Sequence, residues 1–160
     1  MNIKKLFRRI RKTIKLLPYK GAGVALFKKA NGEYQVLMGL RKHWPIGWSF
    51  PGGKYDEIDK KSLFKTALRE LKEETEIDLK KSVKEETAVI SHFILPFFEW
   101  KTFMYEVDSS FPVPSWWDPY EFSDMKFIPL CEFGKYKPVL GVKIEVNKFL
   151  KNISKLRKQK

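Results

Sequence analysis

Apolar positions recur with a two-residue period, or as short continuous runs, in several segments that we expect to form strands. After Pro18, the segment GAGVALFKK predicts a first strand, and YQVLMGL at residues 34–40 predicts a second. Asn31-Gly32 lies between them and is a strong signal for a tight hairpin turn. Further strands are predicted at residues 48–50, 87–93, 101–107 and 125–128.

Helical periodicity marks three other segments. In residues 62–75, Ser62 suits the N-cap, and Phe64, Ala67, Leu68 and Leu71 form one apolar stripe. Residues 142–156 predict a closing helix, and residues 1–17 predict a basic amphipathic helix that Pro18 ends. Strands and helices in this order predict the α/β class.

Composition narrows the class of protein. The chain has 160 residues with 43% apolar content, which suits one domain with one core and excludes global disorder. No run reaches the roughly 20 apolar residues of a membrane-spanning helix. Cys131 is the single cysteine, so no internal disulfide can form. We therefore expect a cytoplasmic protein, with peripheral membrane association as an alternative.

The net charge of +13 belongs to the two ends of the chain. Residues 1–20 carry eight basic and no acidic side chains, and residues 148–160 carry six basic and no acidic ones. Cations spread through residues 1–17 exclude a secretory signal. This segment could pack on the domain or on a second copy, lie on an anionic membrane, or bind RNA together with residues 148–160. The sequence leaves these partners and the oligomeric state open.

Three carboxylates share one side of the helix at residues 62–75. At 100° per residue, Glu70, Glu73 and Glu74 fall within an arc of about 100°, beside the apolar stripe. Their repulsion costs roughly 0.2–0.5 kcal/mol per pair, which a divalent cation would relieve. Oxygen ligands without Cys or His favour Mg²⁺ or Mn²⁺, and Arg69 can pair with Glu73. A solvated Glu-rich helix face is the alternative, and spacing alone does not decide.

Residues 50–54 (FPGGK), followed by residues 67–77 (ALRELKEETEI), closely resemble the signature of the Nudix hydrolase superfamily. Gly53 matches its first Gly, Arg69-Glu70 its Arg-Glu pair, and Glu73-Glu74 its Glu pair. The resemblance implies a Nudix-like α/β/α sandwich with a mixed β-sheet. The Nudix domain would then span residues 18–160, including a basic C-terminal helix.

The chain departs from the signature at two sites. Two residues are inserted between Gly53 and Arg69, so that counting back from Arg69 puts Lys61 where the family has its first Glu. The acids Asp56, Glu57 and Asp59 lie earlier, and the sequence leaves open which of them, if any, takes that place. The family's last Gly falls on Glu76, where a left-handed helix stop would cost on the order of 1 kcal/mol, which leaves a different helix end open. These departures keep a noncatalytic Nudix-fold protein that binds a nucleotide or RNA as the alternative.

The resemblance implies Mg²⁺-dependent hydrolysis of a diphosphate linkage in a nucleoside diphosphate derivative, with Mn²⁺ as a substitute. It places metal ligation on Glu70, Glu73, Glu74 and Gly53, with Arg69 as structural support. Glu70, Glu74 and Glu121 are the candidate catalytic residues. Asp118 and Asp124 are rivals of Glu121, for which a capping or solvated role is also open.

The group attached to the diphosphate is not readable from the sequence. Trp44, Trp48 and Trp117 lie in predicted loops that would flank the site, where a base could stack on them, although core packing is the alternative for each. Arg41 is a further candidate substrate contact. The basic ends make a 5′-phosphorylated RNA end one substrate possibility.

Overall fold

A computed structural model describes residues 19–158, with side-chain surroundings through Ser154. The predicted basic helix at residues 1–17 lies outside the described residues. The strands are β1 (Tyr19–Ala30), β2 (Glu33–Arg41), β3 (Trp48–Ser49), β4 (Gly52–Lys54), β5 (Val89–Leu95), β6 (Phe98–Val107) and β7 (Phe122–Pro129), and the α-helices are α1 (Leu63–Thr75) and α2 (Val142–Lys158).

The seven strands form one mixed sheet with the order β3-β2-β1-β6-β5, in which β4 also pairs with β1 and β7 with β2. Strand β1 runs parallel to β6 and antiparallel to β2 and β4. Strand β4 contains the two glycines of the segment that leads to α1. Its pairing with β1 therefore holds this glycine segment against the sheet.

Alternate residues of β1 face two separate cores, so a helix covers each face of the sheet. On one face, Leu63, Ala67 and Leu71 of α1 pack against Ala22, Val24 and Leu26. On the other, Val142, Val146 and Phe149 of α2 pack against Ala25, Phe27 and Met104. This arrangement confirms the predicted α/β/α sandwich with a mixed sheet.

Local signals in the sequence locate most elements. The β1–β2 turn has positive φ at both Asn31 (52°) and Gly32 (81°), as the Asn-Gly pair predicts. Helix α1 begins after Ser62, whose side chain accepts a hydrogen bond from the Lys65 N–H at 3.3 Å. Strand β4 was missed, because a three-residue strand in a Gly-rich stretch has no periodicity to detect.

Helix α1 ends in the left-handed conformation that the family's Gly would adopt. Glu76 has φ 60°, and its N–H donates to the Lys72 carbonyl at 2.9 Å. The sequence left open whether a helix with Glu at this position would end differently. The structure shows that it does not, because Glu76 itself adopts the left-handed conformation.

The basic C-terminal segment is part of α2 as far as Lys158. Its side chains Phe149 and Ile153 are buried against the sheet, whereas Lys148 and Lys151 are exposed. Contact of this surface with RNA or a membrane stays a prediction. Within residues 19–158, neither helix has the length and apolarity needed to cross a bilayer.

Candidate active site

The turn Pro51-Gly52-Gly53 lies directly against the carboxylate face of α1. A Cβ on Gly53 would overlap the Glu70 carboxylate, so the absence of a side chain at this position leaves room for that carboxylate against the turn. The Gly52 N–H donates a 2.7 Å hydrogen bond to Oε2 of Glu74. This hydrogen bond joins positions 22 residues apart in the chain, and the two carboxylates lie beside the backbone of the turn.

Both of these carboxylates sit in surroundings that disfavour their charge. The Glu74 side chain is buried, with 5% of its residue surface exposed. Burial raises its pKa to about 9, although the Gly52 hydrogen bond opposes the shift, and the negative charges of Glu70 and Glu121 add to it. Burial also raises the pKa of Glu70, with Arg69 opposing. A cation placed between them would stabilise both ionised forms.

Arg69 is the hub that orients the carboxylates. Its Nη1 lies 2.8 Å from Oε1 of Glu70 and 2.9 Å from Oε2 of Glu73. Its Nε lies 3.1 Å from Oδ1 of Asp59, and its Nη2 lies 3.1 Å from Oδ2 of the same carboxylate. Nη2 also donates to the Lys54 carbonyl at 3.0 Å, which ties the guanidinium to β4. A fork held on this many acceptors has little freedom to rotate.

Asp59 supplies the acid that the sequence comparison could not place. Its carboxylate is buried and accepts hydrogen bonds from Thr66 Oγ1 at 2.8 Å and the Asp56 N–H at 3.1 Å, besides those from Arg69. Burial alone would raise its pKa, but the hydrogen bonds from Arg69 and Thr66 hold that pKa below its usual value. A buried, ionised partner therefore fixes Arg69.

The spacing from Gly53 could have identified Asp59. Asp59 is the sixth residue after Gly53, as in the family signature, so the two extra residues follow the acid. Lys60 and Lys61, which directly follow Asp59, are both left-handed, with φ of 52° and 63°. Counting back from Arg69 crosses this insertion and reaches Lys61, which is why the sequence alone left the family's acid unplaced.

Glu121 faces the site, whereas its two rivals are engaged elsewhere. Glu121 Oε2 lies 3.7 Å from Arg41 Nη2, and its charge contributes to the raised pKa of Glu74. The Asp118 carboxylate accepts from the Tyr120 N–H at 2.8 Å, and Asp124 pairs with Lys126 at 2.8 Å. The Asp118 N–H also donates to the Glu74 carbonyl at 2.8 Å, which links this loop to α1.

The predicted tryptophans do not gather at the site. Trp48 is buried in the α2-side core, edge-on to Tyr136 and beneath Lys126, so its ring cannot stack on a base. Trp117 packs partly buried against the α1-side core. Trp44 is 88% exposed in the loop after β2. Of the predicted substrate contacts, Arg41 is the one that the structure brings to the carboxylates, through Glu121.

The donor set fits a hard divalent cation, although its members are not gathered around one point. Among residues 19–158, no three His, Cys, Asp or Glu side chains are grouped closely enough to hold a metal ion together. The Glu73 side chain is 57% exposed and rests on Arg69, so it would have to turn toward Glu70 and Glu74. The carboxylates of Glu70 and Glu74 beside the turn are oxygen donors of the kind that Mg²⁺ prefers.

Comparison with known proteins places this geometry in a family. A family model for the NUDIX domain matches residues 19–148. An Ap4A hydrolase from C. elegans, solved as a binary complex, has 19% identity and a TM-score of 0.67, covering 85% of this chain and 98% of its own. The NUDIX domain of Shewanella oneidensis NrtR, complexed with ADP ribose, has 20% identity and a TM-score of 0.65, covering 96% and 99%.

A more distant likeness is the C-terminal domain of mouse MUTYH in its complex with human PCNA, with 13% identity, a TM-score of 0.55, and coverage of 85% and 90%. No curated protein sequence matches the chain. The structural likenesses at these identities establish a shared fold.

Proposed function

Because the chain belongs to the Nudix hydrolase superfamily, we propose that it hydrolyses a diphosphate linkage in a nucleoside diphosphate derivative with the help of Mg²⁺. The observation that carries the proposal is the buried Glu74, held by Gly52 beside Glu70 at the Pro-Gly-Gly turn. A buried carboxylate next to a half-buried one is costly for folding and suits a site that receives a cation.

Glu70, Glu73 and Glu74 would hold the metal together with the Gly53 carbonyl, and Mn²⁺ could substitute for Mg²⁺. The bound ion would neutralise diphosphate charge as a Lewis acid and template. Arg69 would orient Glu70 and Glu73 through its contacts at 2.8 and 2.9 Å. The Gly52 N–H would fix Glu74 in the same way.

Glu121 is the proposed general base. Its carboxylate would accept a proton from the water that attacks phosphorus, which requires it to be ionised and open to solvent. The side chain is 38% exposed, and its Oε2 lies 3.7 Å from Arg41 Nη2. Glu70 is the alternative group for orienting this water.

The class of substrate is a nucleoside diphosphate linked to a further group. The Ap4A hydrolase and the NrtR domain complexed with ADP ribose support this class, because Ap4A and ADP ribose are both nucleotide derivatives. The noncatalytic alternative rested on two departures from the family signature, Lys61 and Glu76, and the structure weakens both arguments. Asp59 takes the contact with Arg69 that Lys61 cannot make, and Glu76 adopts the left-handed conformation of the family's Gly.

The test is a substrate panel in the presence of Mg²⁺. ADP ribose, Ap4A, a nucleotide sugar, a nucleoside triphosphate and 5′-triphosphorylated RNA are incubated with the wild type and with Glu74→Gln. Mutation of a residue that only contacts a metal ligand typically lowers metal affinity or activity by about 10–100-fold. Loss of a ligand itself should therefore lower turnover by about 100-fold or more. Glu76→Gln, an exposed change two residues along the chain, is the control and should keep wild-type turnover.

Two results would contradict the proposal. Turnover that survives Glu74→Gln unchanged would reject the assigned site. If the wild type turns over no member of the panel but still binds nucleotides, the noncatalytic alternative is favoured.

A further inference from the structure

Three aromatic side chains stack along the edge where β1 meets β6. The Tyr19 and Phe98 rings have centroids 5.5 Å apart and are inclined by 9°, and the Tyr19 and Trp100 rings are 6.3 Å apart and inclined by 17°. The parallel pairing places Tyr19 opposite Phe98, and Trp100 follows on the same face of β6. We call Tyr19, Phe98 and Trp100 the aromatic platform.

The platform adjoins the Pro-Gly-Gly turn. A Cβ on Gly21 would lie 2.6 Å from the Gly53 carbonyl oxygen and 2.8 Å from the Trp100 ring, and one on Gly23 would lie 2.8 Å from the Pro51 oxygen and 3.2 Å from the same ring. The indole therefore lies flat over two glycines, flanked by the backbone of the turn. One end of the platform thus borders the proposed metal and diphosphate site.

The open face of the platform is unusual for a core element. Tyr19 and Phe98 remain 37% and 39% exposed although their rings are large and apolar. The Tyr19 phenol is also within range of the site's charges: burial raises its pKa, Arg41 opposes, and the charges of Glu70, Glu74 and Glu121 add to the increase. Flat, exposed rings next to a diphosphate site match the stacking chemistry of a nucleobase.

We propose that the aromatic platform of Tyr19, Phe98 and Trp100 binds the nucleobase of the substrate by stacking, with Thr102 and Glu145 as positioning residues for Trp100. This inference rests on the proposed function for the position of the diphosphate. It assigns a binding site for the base to residues that the predicted tryptophan set did not include.

A directional hydrogen-bond relay fixes the indole from behind. Trp100 Nε1–H donates to Thr102 Oγ1 at 2.9 Å, and the Thr102 hydroxyl donates to Oε1 of Glu145 at 2.5 Å. An indole N–H can only donate, so the Thr102 proton is directed toward Glu145. Glu145 projects from α2 and is 4% exposed. Helix α2, which packs on the same face of the sheet as Trp100, thereby sets the plane of the indole.

The direct test uses two matched ligands that cannot be hydrolysed. Isothermal titration calorimetry with Mg²⁺ measures binding of α,β-methylene ADP and of methylenediphosphonate, which lacks the nucleoside. Phe98→Leu and Trp100→Leu should raise the Kd of α,β-methylene ADP by about 10-fold, the scale of one base–aromatic stack. Binding of methylenediphosphonate should be unchanged.

Phe97→Leu is the matched control, because Phe97 is 51% exposed, adjacent to Phe98, and makes no ring contact in the stack. It should bind both ligands as the wild type does. Trp100 is partly buried and its replacement could impair folding, whereas Phe98 is exposed, so Phe98→Leu alone is sufficient to decide.

The relay is tested at Thr102. Thr102→Ser keeps the hydroxyl and should retain wild-type affinity for α,β-methylene ADP, whereas Thr102→Val removes it and should raise the Kd. In a turnover assay, the same loss should appear in KM with little change in kcat. A merely structural role would lower thermal stability in Thr102→Val without separating the two ligands.

The inference is overturned if Phe98→Leu binds α,β-methylene ADP as tightly as the wild type, or if the wild type does not distinguish the two ligands. Its failure is distinct from failure of the proposed function. If no substrate is turned over but nucleotide binding still depends on the aromatic side chains, the proposed hydrolase activity is rejected and the aromatic platform is supported. If substrate is turned over and Phe98→Leu does not weaken nucleotide binding, the activity is supported and the aromatic platform is rejected.

Discussion

The backbone N–H of Gly52 donates a 2.7 Å hydrogen bond to Oε2 of Glu74, which joins the glycine turn to the last carboxylate of α1. This contact holds the carboxylate in a buried position where its charge is unfavourable. The metal-free protein therefore keeps the ligand in place at the expense of stability, and this arrangement can be tested by titration.

We expect the metal-free protein to lose stability between pH 7 and 9. The pKa of Glu74 is raised to about 9 in the folded state, so its contribution is fully present below its unfolded pKa and is lost as pH rises to the folded value. In EDTA, the free energy of unfolding of the wild type should fall over this range, and that of Glu74→Gln should stay nearly level.

Added Mg²⁺ should reverse this loss. The ion binds the ionised carboxylate and stabilises the folded state by mass action, more strongly at higher pH because protons compete less. Chemical denaturation at fixed pH, with and without Mg²⁺, measures the effect. An equal Mg²⁺ response in Glu74→Gln would contradict Glu74 as a ligand.

Glu121→Gln should lower kcat by about 100-fold, the lower end of the range for a general base, if Glu121 accepts the proton of the attacking water. Asp124→Asn is the control, since it breaks an exposed pair with Lys126 that is worth at most about 1 kcal/mol. Its kcat should match the wild type. Steady-state kinetics at saturating Mg²⁺ would reject Glu121 as base if the two variants behaved alike.

Asp59→Ala should reduce both stability and turnover. It removes the buried partner of Arg69, and because Arg69 is partly exposed and keeps Glu70 and Glu73, we expect a loss on the order of 2 kcal/mol. Turnover should fall about 10-fold as Arg69 loses its orientation. Glu57→Ala, an exposed neighbour, should leave both properties intact, and an equal loss there would assign the effect to the loop.

Glu76→Gly should stabilise the protein. Glu76 holds φ 60° at the end of α1, a conformation that costs a non-Gly residue on the order of 1 kcal/mol. Relief of this cost should raise the Tm by about 3 °C. Glu76→Ala keeps the penalty and should show no such gain, so a similar Tm for the two variants would argue against left-handed strain at this position.

Local patterns predicted most of the fold because their causes are local. The Asn31-Gly32 turn, the Ser62 cap and the apolar stripe of α1 each act over a few residues, and each appears where the sequence places it. The carboxylate cluster was also readable, since helical spacing alone puts Glu70 and Glu74 on one side. Strand β4 has no such local signal and forms because β1 offers it hydrogen bonds.

The surroundings of the site depend on pairing between distant segments, which one sequence does not specify. Trp48 lies next to the glycine turn in the chain, yet its strand register directs it into the core. Trp100 is distant in the chain, yet parallel pairing of β6 with β1 lays it over Gly21 beside the turn. Choosing between these tryptophans required the sheet register.

The two left-handed lysines after Asp59 separate the acid from the arginine along the chain without separating them in space. The segment between Asp59 and Arg69 is two residues longer than in the family signature, and the ion pair between them is still formed. The spacing from Gly53 to Asp59 is unchanged. A sequence motif that fixes the number of residues between the acid and the arginine would therefore miss a chain such as this one, in which the ion pair is present. A motif that fixes the spacing from the glycine to the acid would detect it.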